Sequence, residues 1–182
     1  MDKPWYRKIF SQSQKPVLKV THSNADYGDA EVQFGMGLKF ANSEGATRDY
    51  VQAAEWYRKA ADQSHSLAQF NLGMMYAQGQ GVPQDDTQSV MWFGKAAQQG
   101  DAGAQFNLAA SCYRASLAGV PEEALESRIE AYKWYHLAAA QGYKETDCAC
   151  STLILRMTRE DVAVGDQRIA DFEVKKPNQP QE

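Results

Sequence analysis

The chain has 182 residues, of which 43% are hydrophobic and 23% are charged, a composition typical of one folded domain. Its net charge of −4 and its pI of about 5.4 argue against a nucleic-acid-binding surface, because such a surface carries a dense basic face. No apolar run reaches the length of about 18 residues that a transmembrane helix needs.

Residues 1–26 are predicted to form a basic, partly disordered lead-in, since residues 1–19 alone carry a charge of +4. The stretch WYRKIF at residues 5–10 leaves two alternatives open. It is either a docking peptide or membrane-surface contact, or a segment that folds back and caps the first helix. No apolar stretch follows the basic residues as it does in a secretory signal. We therefore expect a cytoplasmic protein, or a periplasmic one if a signal peptide has been removed.

An internal repeat occupies most of the remaining chain. The stretch AQFNL at residues 68–72 recurs at 104–108, and VQFGM at 32–36 lies in the same register, which gives a step of 36 residues. The stretch WYRKAA at residues 56–61 recurs 36 residues later as WFGKAA, and then another 42 residues later as WYHLAA. We expect the six additional residues of the third unit to lengthen the loop between its two helices.

Each unit predicts two antiparallel helices, because apolar or small residues recur on one helical face and turn residues separate the segments. The expected pairs are 27–42 with 48–63, 66–78 with 84–99, and 102–116 with 123–141. A further first helix is expected at about 143–156. A last helix at about 158–172 starts with a variant capping box, Thr158 with Asp161, and should cover the open end of the array. The tail at 173–182 is predicted to be disordered.

Small residues mark two places in each unit. Gly37, Gly73 and Ala109 share one position inside the first helix, where glycine costs about 0.5–1 kcal/mol relative to alanine. We expect the close approach of a neighbouring helix to compensate this cost. Glycine also follows the second helix at Gly100 and Gly142, as is common after a helix C-terminus. Serine replaces it in the first unit.

The combined pattern resembles the Sel-one-like repeat (SLR), a relative of the tetratricopeptide repeat. In the second unit the matching residues are Ala68, Leu72, Gly73, Tyr76, Gly79, Gly81, Val82, Asp85, Trp92, Phe93, Ala96, Ala97 and Gly100. In the first and third units they include Gly37, Phe40, Gly45, Asp49, Trp56, Ala60, Ala61, Ala104, Leu108, Gly119, Val120, Trp134, Ala138 and Ala139. The third unit departs from the pattern at Ala109, at Cys112 and in its longer connection. The resemblance implies an all-α, right-handed superhelix of stacked antiparallel helix pairs, with about eight helices at 27–172.

The same resemblance implies a groove lined by the face of each first helix that points away from the core. The residues assigned to this groove as partner-binding are Phe34, Leu38, Phe70, Asn71, Met74, Gln78, Phe106, Asn107 and Arg114. An exposed row of phenylalanines beside Asn71 and Asn107 would offer anchors and amide groups to a bound peptide. The alternative is that each phenylalanine packs between neighbouring repeats as part of the fold.

Catalytic and metal-binding chemistry has little support in the sequence. The three histidines are scattered, and no pair has the spacing of metal ligands. Cys112, Cys148 and Cys150 are expected to pack as small hydrophobic residues of the repeat, and an odd, sparse set of cysteines fits a reducing compartment. Neither a P-loop nor a nucleophile turn is present. We therefore expect no cofactor, no metal and no catalytic residue.

The resemblance and these exclusions predict a non-enzymatic adaptor or scaffold, of a kind common in bacteria, that binds a protein or peptide in its groove. The protein would be a monomer or a weak homo-oligomer, with no nucleic-acid partner. The first alternative is a structural subunit that associates with copies of itself. The second is a cryptic hydrolase or penicillin-binding protein of the SLR type, although no acylation motif such as Ser-x-x-Lys occurs.

Overall fold

The computed structural model describes residues 28–42, 48–118, 121–144 and 146–174, which form eight α-helices and no strand. The helices are α1 (Ala30–Asn42), α2 (Tyr50–Asp62), α3 (Ser66–Gln78), α4 (Asp86–Gln98), α5 (Ala102–Ala118), α6 (Pro121–Ala140), α7 (Thr146–Ile154) and α8 (Arg159–Ala170). The prediction of an all-α fold with about eight helices is confirmed. The lead-in at 1–26 and most of the tail at 173–182 lie outside the described residues.

Short polar side chains fix the beginnings of the helices. The Asp49 carboxylate accepts hydrogen bonds from the backbone N–H groups of Val51 and Gln52, both at 3.0 Å, and Asp85 serves α4 in the same way. The predicted capping box at α8 is present, with Thr158 and Asp161 each bonding to the other's backbone. These bonds satisfy N–H groups that have no partner within the helix, so the boundaries follow from local sequence.

The helices stack as a solenoid. Helices α1 and α2, α3 and α4, and α5 and α6 pack as pairs, and α3 and α5 also contact the second helix of the preceding pair. Helices α7 and α8 both pack on α6. The buried side chains of successive pairs form shared clusters, so each pair buries its apolar face against its neighbours rather than alone.

In α1 and in α3, an aromatic ring of the paired helix explains the glycine inside the helix. A Cβ atom built on Gly73 would lie 2.8 Å from two ring carbons of Phe93, and one built on Gly37 would overlap the ring of Tyr57. The close approach expected from the sequence is therefore present. It lets a large ring lie directly against the helix backbone, which compensates the conformational cost of glycine.

The repeated tryptophans also lie in the core. Trp56, Trp92 and Trp134 are 6%, 4% and 6% exposed. A lysine ammonium group covers each indole ring, with Lys59, Lys95 and Lys133 at 4.2, 3.9 and 4.5 Å from the ring centroids. Each lysine can therefore shield an apolar ring with its stem while its charge remains near water.

The third pair corrects one expectation. Its six additional residues extend the helices rather than a loop, because α5 has 17 residues and α6 has 20, whereas the helices of the first two pairs have 13 each. The added segments are rich in alanine, leucine and glutamate, which favour helix. Pro121 begins α6 at the first helical position, where its fixed φ angle suits a helix.

Helix α8 covers α6 through both apolar and charged contacts. Gly165 of α8 lies against the ring of Tyr132, whose hydroxyl donates a hydrogen bond to Asp166 at 2.9 Å. The Arg168 guanidinium bridges Glu126 and Glu130 of α6 at 2.6 and 2.7 Å. Among the described helices, none combines the length and the apolar character that would let it cross a bilayer.

Candidate partner-binding surface

Two of the three phenylalanines assigned to the groove are buried between repeats. Phe34 is 5% exposed and lies 4.5 Å from the ring of His65, at the start of the next repeat, in a stacked arrangement. Phe70 is 6% exposed, and its ring packs on Phe93 and against Gly103 of the next repeat. Their positions favour the packing alternative for these two side chains, since a buried ring offers no surface to a partner.

The third phenylalanine also packs against neighbouring aromatic rings, but it is more exposed than the other two. Phe106 is half-buried, with its ring 5.5 Å from Tyr135 of the paired helix and 5.0 Å from Tyr143, which precedes α7. The helix that follows, α7, has only nine residues, whereas α3 has 13 and α5 has 17. The row of phenylalanines thus connects each repeat to the next one.

The remaining six residues of the predicted groove stay accessible to different degrees. Leu38, Asn71, Met74 and Asn107 are half-buried, and Gln78 and Arg114 are exposed. The sequence register places them on the same side of α1, α3 and α5, because Leu38 and Met74, Asn71 and Asn107, and Gln78 and Arg114 are each 36 residues apart. Leu67 of α3 belongs to this side as well and is 42% exposed. We call these seven residues the first-helix face.

The two asparagines of this face differ in their partners. The Asn71 side chain hydrogen-bonds to the Tyr57 hydroxyl in the preceding repeat. Burial raises the pKa of Tyr57 far above its usual value, and the bond from Asn71 only partly opposes this rise, so Tyr57 stays protonated. The second repeat has Phe93 instead of a tyrosine, and the amide of Asn107 donates instead to the carbonyl of Gly103 at 2.8 Å.

Charge is distributed unequally between the two kinds of helix. Helix α3 contains no charged residue, α5 contains only Arg114, and α1 contains Glu31 and Lys39. Within each pair the second helix carries more, as α2 has four acidic or basic residues, α4 has two and α6 has six. The exposed part of the first helices therefore consists mainly of amide and apolar groups, which is unusual for a surface that only meets water.

A ladder of glutamines, which the sequence analysis did not identify, connects the helices at their other side. The Gln63, Gln99 and Gln141 side chains donate to the Gln33, Gln69 and Gln105 side chains at 2.7, 2.7 and 2.8 Å. Gln69 and Gln105 in turn donate to the carbonyls of Ala61 and Ala97 in the preceding repeat, at 3.0 and 3.2 Å. The sequence feature that indicates this ladder is the recurrence of glutamine at a step of 36 residues, at Gln33, Gln69 and Gln105.

A comparison with models of known protein families identifies the same three repeat units. A family model described as the Sel1 repeat matches residues 30–65, 66–101 and 102–143, and each match begins at or next to the first residue of a first helix. The chain belongs to the Sel1 repeat family. Sel1 repeat proteins are generally protein-interaction modules. Among curated proteins, none matches the chain.

Two solved structures of Sel1-like repeat proteins resemble this one. One is a protective antigen present in uropathogenic Escherichia coli strains that displays an SLR fold, with 27% identity and a TM-score of 0.67 over 81% of this chain. The chain spans only 30% of that antigen's length. The other is a Sel1 repeat protein from Oxalobacter formigenes, with 35% identity and a TM-score of 0.58 over 71% of this chain and 93% of the other. Both likenesses confirm the solenoid fold.

Two of the three cysteines, Cys112 and Cys150, are poorly suited to nucleophilic chemistry. Burial raises the pKa of the Cys112 thiol to about 11, with Glu130 adding to the effect, and burial also raises the pKa of Cys150. Cys148 is exposed, which corrects the expectation that all three pack as small hydrophobic residues. It lies in the short α7, and no further helix pair follows to cover it within residues 146–174. In the described part of the chain no three His, Cys, Asp or Glu side chains are grouped to hold a metal ion.

Proposed function

We propose that this chain is a non-catalytic interaction module that binds a protein or peptide on the first-helix face. The observation that carries the proposal is the charge-free helix α3, whose exposed side presents Leu67, Asn71, Met74 and Gln78. Apolar side chains beside amides suit an uncharged peptide segment, because the apolar groups bury area while the amides bond to peptide backbone. Membership of a family of interaction modules supports the same conclusion.

The rigidity of the stack supports this use. The buried phenylalanines and the glutamine ladder fix each first helix relative to the next, so the accessible residues of α1, α3 and α5 are held in a preformed arrangement. A preformed surface loses less conformational entropy when a partner binds than a flexible one does. The partner contacts are thus assigned to the accessible members of the predicted groove, without Phe34 and Phe70.

A matched pair of substitutions tests the proposal. Leu67 of α3 and Met91 of α4 have nearly equal exposures of 42% and 40%, and only Leu67 lies on the first-helix face. We expect Leu67→Glu to remove proteins that the wild-type chain captures from its source cells, and Met91→Glu to retain them. Glu31 occupies the position of Leu67 in the first repeat, so the fold already accepts glutamate there. Quantitative mass spectrometry after affinity capture measures the difference.

One outcome of this capture experiment would contradict the proposal. Equal capture by the wild-type chain and both variants, with unchanged unfolding curves, would place the partner site elsewhere. Gln78→Glu provides a second probe of the same face, because this side chain is exposed and its replacement leaves the core intact. Loss of capture in both first-helix variants but not in Met91→Glu supports the proposal.

Self-association is the second candidate function, and apolar side chains at the C-terminal part of the stack favour it. Leu117 at the end of α5 is 57% exposed, and Leu155, just after α7, is 87% exposed. A hydrogen bond of 3.1 Å from Arg128 of α6 to the carbonyl of Arg156 holds the end of α7 beside α6. Sedimentation of the protein over a range of concentrations tests this candidate, because a constant molecular mass would reject it.

A further inference from the structure

Helix α7 occupies the place of a first helix in a fourth repeat. A shift of 42 residues aligns it with α5, and Ala104 and Thr146, which correspond in this register, are both 0% exposed. In each of the three repeats the second helix packs along the first helix of its own pair. Helix α8 follows α7 in the chain but packs on α6 instead, where Arg168 bridges Glu126 and Glu130. Among the described residues, α7 therefore has no second helix of its own.

The side of α7 that a second helix would cover is exposed. It consists of four residues, Cys148, Ser151, Thr152 and Leu155, which correspond to Phe106, Ala109, Ala110 and Tyr113 of α5. All four of the α5 residues pack in the hydrophobic core of the third pair. Ala109 is 0% exposed, whereas Ser151 is exposed and Leu155 is 87% exposed. We call the four residues of α7 the open face.

The hydroxyl groups of the open face do not prevent apolar contact. Ser151 Oγ donates to the carbonyl of Asp147 at 2.8 Å, and Thr152 Oγ1 donates to the carbonyl of Cys148 at 2.9 Å. Because both hydroxyls already have an acceptor within α7, a neighbouring helix can bury them at little cost. The backbone N–H of Leu155 bonds to the carbonyl of Ser151 at 3.4 Å, so Leu155 continues the helical surface. The open face can therefore bury the apolar side of another helix.

The register defines which side chain fits the centre of the open face. In the second pair, Gly73 lies against the ring of Phe93 of the paired helix. The third pair has Ala109 and Tyr135 at these positions, and both are buried. Ser151 occupies the corresponding position of α7. Its small side chain leaves room for an aromatic ring from an added second helix.

The glutamine ladder defines a second requirement. Gln99, six residues after Phe93, donates to Gln69 of its own pair at 2.7 Å. Asp147 corresponds to Gln69 in α7, and it is exposed. A carboxylate only accepts hydrogen bonds, and its negative charge favours a basic donor over an amide. A helix that fits the open face thus carries an aromatic residue and, six positions later, a lysine or an arginine.

We propose that an amphipathic helix of another protein binds the open face and completes the fourth pair. Its aromatic side chain packs on Ser151, its apolar side chains cover Leu155, and its basic residue pairs with Asp147. A second copy of this chain is a poorer source of such a helix, because α1 to α6 are already paired in it and α8 contains no aromatic residue. The open face and the first-helix face lie on different helices, so this inference goes beyond the proposed function.

A stapled helical peptide tests the inference on the full-length protein. The peptide has the sequence of residues 85–99 of this chain with Gln99→Lys, and a hydrocarbon staple joins positions 87 and 91, which are both exposed in α4. Circular dichroism establishes that the peptide is helical, and fluorescence anisotropy measures its binding. We expect saturable binding at one site per chain, because this peptide carries the aromatic residue and the basic residue at the required spacing.

Matched variants of the protein locate the bound peptide. Ser151→Tyr should weaken binding about tenfold or more, because its ring fills the space for the aromatic side chain of the peptide. Ser151→Ala should bind as the wild type does, since the third pair has alanine there. Ala163→Tyr adds the same ring to an exposed position of α8 and should also leave binding unchanged. Asp147→Asn should weaken the peptide with lysine about threefold and leave the peptide with Gln99 unaffected.

Three outcomes would overturn the inference. Absence of saturable binding by the helical peptide would show that the open face does not accept a second helix. Equal binding by Ser151→Tyr and the wild type would place the peptide elsewhere on the protein. A wild-type dimer that Ser151→Tyr dissociates in sedimentation would show that a second copy fills the face. None of these results involves Leu67 or Gln78, so they are distinguishable from failure of the proposed function.

Discussion

Replacement of Gly73 by alanine tests how closely the helices of a pair approach. The added methyl carbon would lie 2.8 Å from Cδ1 and from Cε1 of Phe93, whereas carbon atoms in contact are normally about 3.5–4.0 Å apart. Phe93 is 3% exposed, so its ring has little room to move away. Such overpacking costs about 1–3 kcal/mol, and the better helix propensity of alanine returns about 1 kcal/mol. We therefore expect a net loss of up to about 2 kcal/mol in the free energy of unfolding.

Gly94 provides the matched control in the same repeat. It lies inside α4, and no atom lies within 4 Å of a Cβ built on it, so Gly94→Ala should stabilise the protein by about 0.5–1 kcal/mol. Urea unfolding followed by circular dichroism, with the slopes compared among the variants, measures both changes. If Gly73→Ala were as stabilising as Gly94→Ala, the reasoning that a ring lies against the α3 backbone would be refuted.

Two further predictions concern the turn between repeats and the phenylalanine row. Ser64 has a φ of 65°, in the left-handed region that favours glycine. We expect Ser64→Gly to stabilise the protein by about 0.5–1 kcal/mol, because the relief of backbone strain exceeds the entropy that glycine adds to the unfolded chain. The reverse change, Gly142→Ser, should destabilise it by a similar amount, since only backbone conformation opposes a side chain there; melting temperatures of the two variants check the signs. Phe70→Ala should lower the free energy of unfolding, measured in urea, by about 3 kcal/mol, because Phe70 fills the space between repeats. A decrease below about 1 kcal/mol would indicate that this ring lines the groove instead.

The helix boundaries and the repeat could be predicted because they depend on local interactions. Asp49, Asp85 and Thr158 cap the helices that follow them with bonds that span two or three residues, so the sequence alone indicates where those helices begin. The 36-residue step fixed which positions recur. From that step, the close approach at Gly73 followed without knowledge of the tertiary structure.

The partner surface could be predicted only in part, because burial depends on how the repeats stack. The same helical face carries Phe70 and Met74, which are one turn apart, yet the ring of Phe70 is enclosed by the next repeat while Met74 remains half-exposed. Periodicity places both residues on one side of α3 but does not give the distance to α5. The extra residues of the third repeat are a different case. Their alanine, leucine and glutamate residues favour helix locally, and only the alignment with the shorter repeats placed them in a loop.

The amino-acid sequence thus determined the class and the approximate number of the helices, their order, the limits of most of them, and the family to which the chain belongs. The tertiary structure decided which members of the first-helix face stay accessible, and that glutamines connect the repeats. The division has one physical reason. Helix formation and capping involve residues a few positions apart, whereas these contacts join residues about 30 or more positions apart and exist only once the pairs have stacked.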